Sequence, residues 1–463
     1  MDSRRAAELA AWVDGRVVGD PDTLVGPDVV IDSRKATPGA LFAALPGEHA
    51  DGHEFAAAAA ANGAAAALVS REVPGPAAQI AVPDVLTAFG VLAARIVAEA
   101  KENGLVTLGI TGSTGKTSTK DLLGQVLAGA APAVFPEGSF NNEIGVPLTA
   151  CRVDSHTKYL LAEMGARGIG HLSRLKQIVP LDIALVLNVG VAHIGEFGSP
   201  ENIAKAKGEL VEGDVRWAVL NADDPAVAAM RGRTQGRVAA FSAQGEPSFG
   251  ELGVWAQDVE EGELLAFRFT LATNTHGAAP VTLRVPGRHQ VGNALAAAAA
   301  ALCAGLTVEQ VADGLSQAQT LSRWRMELRR RPDGLLVLND AYNANPESMR
   351  AALDALKGLR QEGGKLIAVL GEMLELGPDA PELHREIGAY ARGQGVDELI
   401  AVGEHAAETV AGFGSGPHAR AVPNREAAAE IALSCATPSD VALVKASRGI
   451  ALEGIAFELL GGE

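Results

Sequence analysis

The segment from Gly112 to Thr117 has the residue types that could hold a phosphate chain. It reads Gly-Ser-Thr-Gly-Lys-Thr, follows an apolar, β-prone run at 105–110 and precedes a helix-compatible stretch. Backbone N–H groups and a helix N-terminus can face an anion there, Lys116 adds a positive charge, and the Thr117 hydroxyl can hold Mg²⁺. The full phosphate-loop pattern has another glycine where this chain has Ile110, so a plain Gly-rich turn is the alternative. The predicted phosphate-binding residues are Gly112, Ser113, Thr114, Gly115, Lys116 and Thr117.

Two candidate metal ligands follow predicted strands. Glu163 closes the apolar run Tyr159–Glu163, and His193 comes just after the run 183–189. Open α/β sheets bind ligands at the carboxyl ends of their strands, so both side chains are candidates for a site there. A surface carboxylate and a satisfied loop histidine are the alternatives, and a histidine is a less usual ligand of Mg²⁺ than an oxygen.

Two polar segments lie between these elements. Asn141 and Asn142 offer adjacent amides that could donate to phosphate oxygens, although a polar turn is an equally good interpretation. The predicted helix 201–212 carries Lys205 and Lys207, which are two residues apart and therefore point to different faces. Lysines on such a helix normally belong to a solvated face.

The C-terminal third repeats the pattern of charged residues at strand ends. Asp340 follows the predicted strand 335–339 and could bind ribose hydroxyls. Arg325 could neutralise a transferring phosphoryl group, because a guanidinium matches its oxygens. Lys445 and Arg448 place two cations beside a helix start, which suggests an anionic substrate group. Surface charges are the alternative for these residues.

Composition restricts the classes of protein. The chain has 463 residues, 48% of them apolar and 21% charged, which predicts a globular protein of two to four domains. A formal net charge of −17 argues against nonspecific binding to nucleic acid or to anionic membranes. The longest apolar run, Ala294–Ala304, is too short to cross a bilayer, and the N-terminus has no secretory pattern. Three widely spaced cysteines indicate free thiols in a reducing compartment, so we expect a cytoplasmic protein.

The alternation of strands and helices predicts an α/β protein of three domains. Residues 1–83 form a small α/β unit, and residues 84–320 form a mostly parallel sheet with some antiparallel strands within 245–285. Residues 321–463 form a second open sheet of Rossmann-like type.

Taken together, these segments resemble the Mur ligases, the ATP-dependent enzymes that form amide bonds of the peptidoglycan stem peptide. The resemblance covers essentially the whole length and includes the shortened phosphate loop. It rests on Asp32-Ser-Arg34, Thr111–Thr117, Asn141-Asn142, Glu163-Met-Gly165, Asn188-Val-Gly190, His193, Ala206-Lys207, Gly287–Asn293, Asp340–Pro346, Leu370–Gly377 and Lys445–Arg448.

The resemblance implies roles for individual residues. In the N-terminal domain it implies a UDP-sugar site at Asp32, Ser33 and Arg34. In the central domain it implies ATP phosphates and Mg²⁺ at Lys116 and Thr117, metal ligands at Glu163 and His193, a carbamylated lysine at Lys207, and an adenine contact at Asn293. In the C-terminal domain it implies phosphate and ribose contacts at Arg325 and Asp340. Further substrate contacts are expected from Asn141, Asn142, Asn345, Lys445, Ser447 and Arg448.

The motifs Tyr342–Pro346 and Gly371–Gly377 are similar to those of family members that add D-alanyl-D-alanine to a UDP-N-acetylmuramoyl-tripeptide through an acyl phosphate. The expected partners are these two small molecules, and the expected cofactors are ATP and Mg²⁺. We expect a monomer that neither binds nucleic acid nor inserts into a membrane. The base that deprotonates the incoming amine is unassigned, with His384 a candidate. A ligase that adds the third stem residue, a folylpolyglutamate-type ligase, a phosphate-loop hydrolase and a nucleotide-binding regulator remain alternatives.

Overall fold

The computed structural model describes residues 1–47, 50–190 and 197–462. Over these residues the protein is α/β, with separate sheets in its N-terminal, central and C-terminal parts. The predicted three-part α/β organisation is confirmed. The metal ligand predicted at His193 lies outside the described residues.

The N-terminal unit is a small sheet flanked by short helices. Its five-stranded sheet has the order β2-β7-β6-β5-β4, in which β2 is antiparallel and the others are parallel. The two strands β1 and β3 pair separately. The elements are β1 (Arg4–Arg5), α1 (Ala6–Trp12), β2 (Arg16–Gly19), β3 (Leu24–Val25), β4 (Val29–Val30), β5 (Leu41–Ala43), α2 (Ala56–Ala61), β6 (Ala66–Val69) and β7 (Ala78–Ala81).

A long helix, α3 (Val85–Glu102), joins this unit to the central sheet. Asp84 begins it, because its carboxylate accepts the Thr87 N–H at 2.6 Å. One face of α3 packs on α1, and another packs on helices of the central unit, so residues of both units share one apolar core.

The central sheet places the predicted site residues along one edge. It has the order β16-β15-β14-β13-β12-β11-β8-β10-β9 and is parallel from β9 to β14. The phosphate strand β8 lies between β10, which ends at Glu163, and β11. The elements are β8 (Val106–Thr111), α4 (Lys116–Ala130), β9 (Ala133–Val134), α5 (Gly145–Ala150), β10 (Tyr159–Glu163), α6 (His171–Ile178), β11 (Ile183–Val186), α7 (Pro200–Gly208), β12 (Trp217–Asn221), α8 (Pro225–Ala228), β13 (Arg237–Ser242), β14 (Leu252–Glu261), β15 (Phe267–Thr273), β16 (Ala278–Thr282), α9 (His289–Cys303) and α10 (Val308–Gln317).

Helix α9 is buried on every side along its alanine run. Residues 294–301 are all 0% exposed. The helix packs between α4 and the strands β12, β13 and β14. Methyl side chains let the neighbouring backbones approach closely, which is how a chain with 4% aromatic residues fills this core.

The C-terminal sheet has the order β17-β18-β22-β19-β20-β21 and is parallel except at β17. The helix Ala406–Phe413 and the strand Ala419–Val422 were not predicted from the sequence. The elements are β17 (Glu327–Arg330), β18 (Leu336–Asp340), α11 (Pro346–Gly358), β19 (Leu366–Leu370), α12 (Ala380–Gly393), β20 (Glu398–Val402), α13 (Ala406–Phe413), β21 (Ala419–Val422), α14 (Arg425–Cys435), β22 (Val441–Lys445) and α15 (Glu453–Leu459).

The segment between the central and C-terminal sheets is tied to α4. The buried Asp121 carboxylate accepts the Ser322 N–H at 2.9 Å. Gln125 exchanges two hydrogen bonds with the backbone of Gln319, at 2.9 and 3.0 Å. The domain boundaries at 83/84 and 320/321 stay predictions. Within the described ranges, no helix combines the length and apolarity that a membrane span requires.

Candidate active site

A cavity of about 950 Å³ lies between the carboxyl edge of the central sheet and the C-terminal unit. It collects residues that are up to 362 positions apart in the chain, from Leu86 to Arg448. The predicted site residues that line it are Ser113, Thr114, Gly115, Lys116, Thr117, Asn141, Asn142, Glu163, Lys207, Asn293, Arg325, Asp340, Asn345, Lys445 and Arg448.

The phosphate loop turns into α4 at Gly115. This residue has φ = 77°, and a Cβ there would lie 2.7 Å from the Asn293 Oδ1, so the turn requires glycine. The first helical bond runs from the Thr119 N–H to the Gly115 carbonyl at 2.9 Å. The N–H groups of the preceding helical residues therefore have no intrahelical acceptor, which leaves a positive helix end at the cavity.

Two amides of the loop already have a partner. The Asn188 Oδ1 accepts the N–H groups of Ser113 and Thr114, both at 2.9 Å, and its Nδ2 donates to the Thr114 carbonyl at 3.2 Å. Asn188, just past β11, therefore occupies the two amides that are expected to face an anion. The phosphate contact of Ser113 and Thr114 stays a prediction. The amides at the start of α4 remain for a phosphate.

Lys116 folds back over the loop. Its Nζ donates to the Gly112 carbonyl at 2.6 Å. Gly112 itself is not among the residues that line the cavity. Burial lowers the pKa of Lys116, a shift that the Glu163 carboxylate opposes and Arg325 reinforces. An anion bound here would favour the protonated amine.

Glu163 is a buried carboxylate with one oxygen left over. The residue is 0% exposed, so the surface-carboxylate interpretation is wrong. Its Oε1 accepts from the Ser139 hydroxyl at 2.7 Å and from the Asn141 Nδ2 at 2.9 Å. Its Oε2 is buried and has no hydrogen-bond partner among the described residues. An uncompensated carboxylate oxygen beside a phosphate loop fits a divalent cation.

The donor set suits Mg²⁺ better than a softer metal. Thr117 is buried and also lines the cavity. Its hydroxyl oxygen could act as a ligand together with the carboxylate oxygen of Glu163. Over residues 1–47, 50–190 and 197–462 there is no group of three His, Cys, Asp or Glu side chains that could hold a metal. The described residues therefore offer a partial, oxygen-based site, which Mg²⁺ normally completes with water and phosphate oxygens.

Lys207 is the least expected buried group. It is 3% exposed, whereas Lys205 is exposed, so the solvated-face interpretation is wrong for Lys207. Burial lowers its pKa well below the usual value, and the nearby Lys116 lowers it further, while Glu347 opposes the shift. Lys207 is therefore poised to lose its proton.

Arg233 fixes the helix that carries Lys207. Its guanidinium donates to the carbonyls of Ala204 at 3.1 Å and Lys205 at 2.8 Å. A Cβ on Gly208 would lie 1.9 Å from the Arg233 Nη1, so that position must be glycine for the guanidinium to sit there. These contacts hold the last turn of α7 in place.

Two predicted residues of the C-terminal unit pair with each other. The Lys445 Nζ contacts the Asp340 Oδ2 at 2.5 Å and the Asn343 carbonyl at 3.0 Å. The Asp340 Oδ1 accepts the Met326 N–H at 3.0 Å. Both carboxylate oxygens are thus engaged inside the protein, because β18 and β22 are neighbours. The ribose role of Asp340 stays a prediction.

Arg325 is held between two residues in the left-handed region. Trp324 has φ = 60° and Met326 has φ = 50°. The guanidinium lies 4.1 Å from the centroid of the Tyr342 ring, and that of Arg448 lies 5.2 Å from the same ring. The Arg325 Nε is buried without a hydrogen-bond partner in the described part of the chain. Strained backbone beside a guanidinium nitrogen that lacks a hydrogen-bond acceptor is typical of a ligand site.

Three residues that are predicted to contact substrate make hydrogen bonds within the protein. The Asn142 Oδ1 accepts the Gly145 N–H at the start of α5 at 2.9 Å, and the Asn345 Oδ1 caps α11 through the Ser348 N–H at 2.9 Å. The Ser447 Oγ accepts the Leu374 N–H at 3.1 Å, and Ser447 does not line the cavity. Their substrate roles stay predictions.

The predicted UDP-sugar residues lie apart from the cavity lining. Asp32, Ser33 and Arg34 belong to the N-terminal unit. Hydrogen bonds from Arg34 lower the pKa of Asp32 to about 2. Arg34 remains 86% exposed at its side chain, which leaves it available to an anion.

His384 has hydrogen bonds within the protein and does not line the cavity, and its role as the amine base stays a hypothesis. Its Nε2 accepts the Met373 N–H at 3.0 Å, and its Nδ1 faces the Ala380 carbonyl at 2.7 Å. Both ring nitrogens are therefore occupied, and burial lowers the pKa of the ring. The residue holds the loop after β19 in position.

Several lining residues were not predicted from the sequence. These are Arg167, His171, Arg174, Glu347 and Glu375. The nearness of Arg167 to Glu163 in sequence was a usable signal, because both follow the same strand end. The others face the cavity only through the folding of α6, α11 and the loop after β19.

Comparison with known proteins identifies the class that this fold and site define. Family models match the chain in three consecutive parts: "Mur ligase family, catalytic domain" at residues 28–107, "Mur ligase middle domain" at 110–301 and "Mur ligase, glutamate ligase domain" at 324–448. A relative that is 44% identical covers 94% of this chain. The chain belongs to the Mur ligase family.

Within the family, several similar proteins are named as ligases of D-alanyl-D-alanine or as MurF. That 44% identical relative is UDP-N-acetylmuramoyl-tripeptide–D-alanyl-D-alanine ligase of Mycobacterium tuberculosis, and 92% of its length is covered. A UDP-N-acetylmuramoylalanyl-D-glutamyl-2,6-diaminopimelate–D-alanyl-D-alanyl ligase from Acinetobacter baumannii is 30% identical, with a TM-score of 0.84 and coverage of 100% of this chain and 99% of that one. The MurF ligase of Thermotoga maritima in complex with ADP is 27% identical, with a TM-score of 0.76 and coverage of 94% and 96%.

Proposed function

We propose that this chain is an ATP-dependent ligase that joins D-alanyl-D-alanine to UDP-N-acetylmuramoyl-tripeptide in peptidoglycan precursor synthesis. The most direct support is that the phosphate loop, Glu163 and Lys207 share one cavity with Arg325 and Arg448. This cavity lies in a chain that is 44% identical to a ligase of that name. The name of the Acinetobacter relative gives the peptide as alanyl-D-glutamyl-2,6-diaminopimelate, and we propose the same alanyl-D-glutamyl portion for this chain's substrate.

The chemistry proceeds by activation of an acid. The terminal carboxylate of the tripeptide attacks the γ-phosphorus of ATP, so a C–O–P linkage forms as the bond to ADP breaks. Lys116 and Arg325 stabilise the negative charge that develops on the transferring group. The neutral amine of the dipeptide then adds to the acyl carbon, phosphate departs with the C–O electron pair, and the proton lost by the amine nitrogen ends on the departing phosphate.

The cofactor requirement follows from the donor set. We propose that Glu163 and Thr117 hold Mg²⁺ with the nucleotide, and that His193 is a further ligand, as the family resemblance implies. When bound, Mg²⁺ neutralises charge on phosphate oxygens. The residues themselves orient the nucleotide: the start of α4 faces the phosphates, Asn293 lies beside the loop for the adenine, and Asp340 is proposed for the ribose.

Lys207 is proposed to be carbamylated. The reacting form is the neutral amine, and burial together with Lys116 lowers the pKa of Lys207 in that direction. The Nζ would bond to the carbon of CO₂ and release a proton, which converts a cationic side chain into an anionic one. The product is a carboxylate-like group facing the same cavity as Glu163.

The remaining proposals concern substrate contacts and assembly. We propose that Asp32, Ser33 and Arg34 contact the UDP-sugar, and that Asn141, Asn142, Asn345, Lys445, Ser447 and Arg448 position the peptide substrates. Domain boundaries at 83/84 and 320/321, a monomeric state and a cytoplasmic location complete the proposal.

A phosphate-release assay tests this function. Purified protein receives Mg²⁺, ATP and UDP-N-acetylmuramoyl-tripeptide, with D-alanyl-D-alanine, D-alanine or diaminopimelate as acceptor. We expect sustained release only with D-alanyl-D-alanine, together with formation of the amide product. Release that is indifferent to the acceptor would indicate a hydrolase or a regulator, and a preference for diaminopimelate on a dipeptide precursor would indicate the ligase for the third stem residue.

A further inference from the structure

One side of the cavity carries positive charge that the reaction scheme does not use. Arg167, His171 and Arg174 all line the cavity, and we call these three residues the α6 basic edge. They come from the loop after Glu163 and from the first turn of α6. Both arginines are exposed and His171 is half-buried, so their polar atoms are accessible from the cavity.

The α6 basic edge has a fixed position. The Glu209 carboxylate is buried and accepts the Gly170 N–H at 2.5 Å and the Ser173 N–H at 3.1 Å, which anchors the start of α6. The His171 Nδ1 accepts the Arg167 N–H at 3.4 Å. The Nε2 of that ring therefore carries the proton and is a donor, like the two guanidinium groups.

Neither arginine of the edge has an acidic partner in the described part of the chain. No ion pair or side-chain hydrogen bond of Arg167 or Arg174 occurs among those residues, whereas Arg152, Arg233, Arg237 and Arg350 each pair with a glutamate. Leu86, Leu175 and Ile178 line the cavity beside the edge. Cations over an apolar floor suit a ligand with an aliphatic stem and an anionic head.

We propose that the α6 basic edge binds the free carboxylate of the glutamyl residue in the tripeptide substrate. A glutamyl residue has two carboxyl groups, and one of them is used in the amide to the next residue, so the other stays anionic. This inference rests on the proposed function, since it names the part of that substrate which contacts α6. The edge distinguishes an acidic peptide from one whose glutamyl carboxylate is amidated.

The position of the edge favours the peptide over the diphosphate of the UDP group. The loop that leads to α6 begins directly after Glu163, beside the phosphate loop, where the reacting carboxylate must lie. The glutamyl residue is adjacent to the residue that reacts, whereas the diphosphate is at the far end of the substrate. The edge therefore contacts the portion of the substrate nearest to the chemistry.

The test compares protein variants with substrate variants. Arg167→Gln and Arg174→Gln are assayed with the acidic tripeptide substrate and with the same substrate amidated at the glutamyl carboxylate. The control is Arg95→Gln, an exposed arginine of α3 that does not line the cavity. For each arginine variant we expect KM for the acidic tripeptide to rise about ten-fold or more, as for loss of a charge-assisted hydrogen bond, with kcat and the KM for ATP nearly unchanged.

The amidated substrate gives the decisive comparison. Wild type should show a similar rise in KM with it, and the arginine variants should show little further rise, because the interaction has already been removed. If the arginine substitution and the amidation raise KM additively, in free-energy terms, the proposal is overturned. A substrate without the uridine diphosphate tests whether the edge binds the diphosphate instead. In that case the arginine substitutions would raise KM no further with this substrate, but they would raise it further with the amidated substrate.

Failure of the inference is separable from failure of the function. If wild type ligates D-alanyl-D-alanine and both arginine variants keep their KM values, only the α6 proposal is wrong. If wild type forms no amide with the acidic tripeptide, the proposed function is wrong.

Discussion

The two walls of the cavity differ in how their buried charges are compensated. On the central wall, Glu163 keeps a buried oxygen without a partner in the described residues, and Lys207 is buried with a strongly lowered pKa. On the C-terminal wall, Lys445 and Asp340 form a pair, and the second oxygen of Asp340 accepts a backbone N–H. On the central wall these two groups need ligands to balance their charges, whereas on the C-terminal wall Lys445 and Asp340 balance each other. Substitutions should therefore affect chemistry on one wall and stability on the other.

The largest effect is expected from breaking the pair on the C-terminal wall. Lys445→Met leaves the Asp340 charge poorly compensated, which should lower the free energy of unfolding by about 3–5 kcal/mol. Chemical denaturation of the variant measures this. The double variant with Asp340→Asn should recover part of the loss, and a double variant no more stable than Lys445→Met would show that the pair is not what stabilises this wall.

On the central wall, Lys116→Ala should lower activity and leave stability unchanged. We expect turnover to fall about 10²–10³-fold, because a donor to the transferring phosphoryl group is lost. The melting temperature should not fall, since burial already disfavours this charge. Phosphate release and thermal melting are measured together with Lys205→Ala, an exposed lysine, as the control. A variant that keeps full turnover would remove the phosphate-loop assignment.

Lys207→Ala tests whether the central wall needs a carboxylate-like group. We expect a loss of turnover that short carboxylic acids such as formate or acetate partly restore, because they can enter the space of the missing side chain. The same acids should not stimulate Lys116→Ala. A lack of restoration at any acid concentration would count against carbamylation of Lys207.

Two substitutions of Asn188 can separate an effect on stability from an effect on ATP binding. Asn188→Ala removes three hydrogen bonds to the phosphate loop and should lower the free energy of unfolding by about 1–3 kcal/mol. Asn188→Asp keeps the acceptor for the two amides, loses the donor to the Thr114 carbonyl and adds a negative charge, so it should bind ATP with a higher KM. Equal KM values for ATP in Asn188→Asp and wild type would show that the loop does not lie against the phosphates.

The smallest effect concerns pH. The pKa of Lys207 is lower in the folded chain than its ordinary value of 10.5, so the unfolded chain binds more protons between those two values. Stability therefore rises with pH in this window and is lost as pH falls through it. In CO₂-free buffer, the melting temperature of wild type minus that of Lys207→Met should increase from pH 7 to pH 9. A constant difference would mean that Lys207 titrates normally.

The sequence predicted the layout of the sheets well because strand-forming runs are local signals. The strand Tyr159–Glu163 has the predicted bounds, and the strand predicted at 335–339 lies at Leu336–Asp340. The residues at their carboxyl ends were candidates because strand ends of parallel sheets share one edge. The short elements Ala406–Phe413 and Ala419–Val422 were missed, since little in their composition separates them from a loop.

The electrostatic state of the site could not be predicted in the same way. The burial of Lys207 depends on how α7 packs, and the link from Asn188 to Ser113 crosses 75 positions of sequence. The pair of Lys445 with Asp340 depends on β18 and β22 being neighbours, which skips three intervening strands in the chain. Each of these contacts is set by tertiary structure, so residue types and local spacing carry no signal for it.

The alanine helix α9 has a consequence for how this protein can vary. Its residues 294–301 separate α4 from the central strands by little more than methyl groups. Any longer side chain there would push α4 outward, and α4 begins at Lys116. The geometry of nucleotide capture thus depends on residues that never approach a nucleotide, and substitutions deep in this layer should impair binding before they unfold the chain.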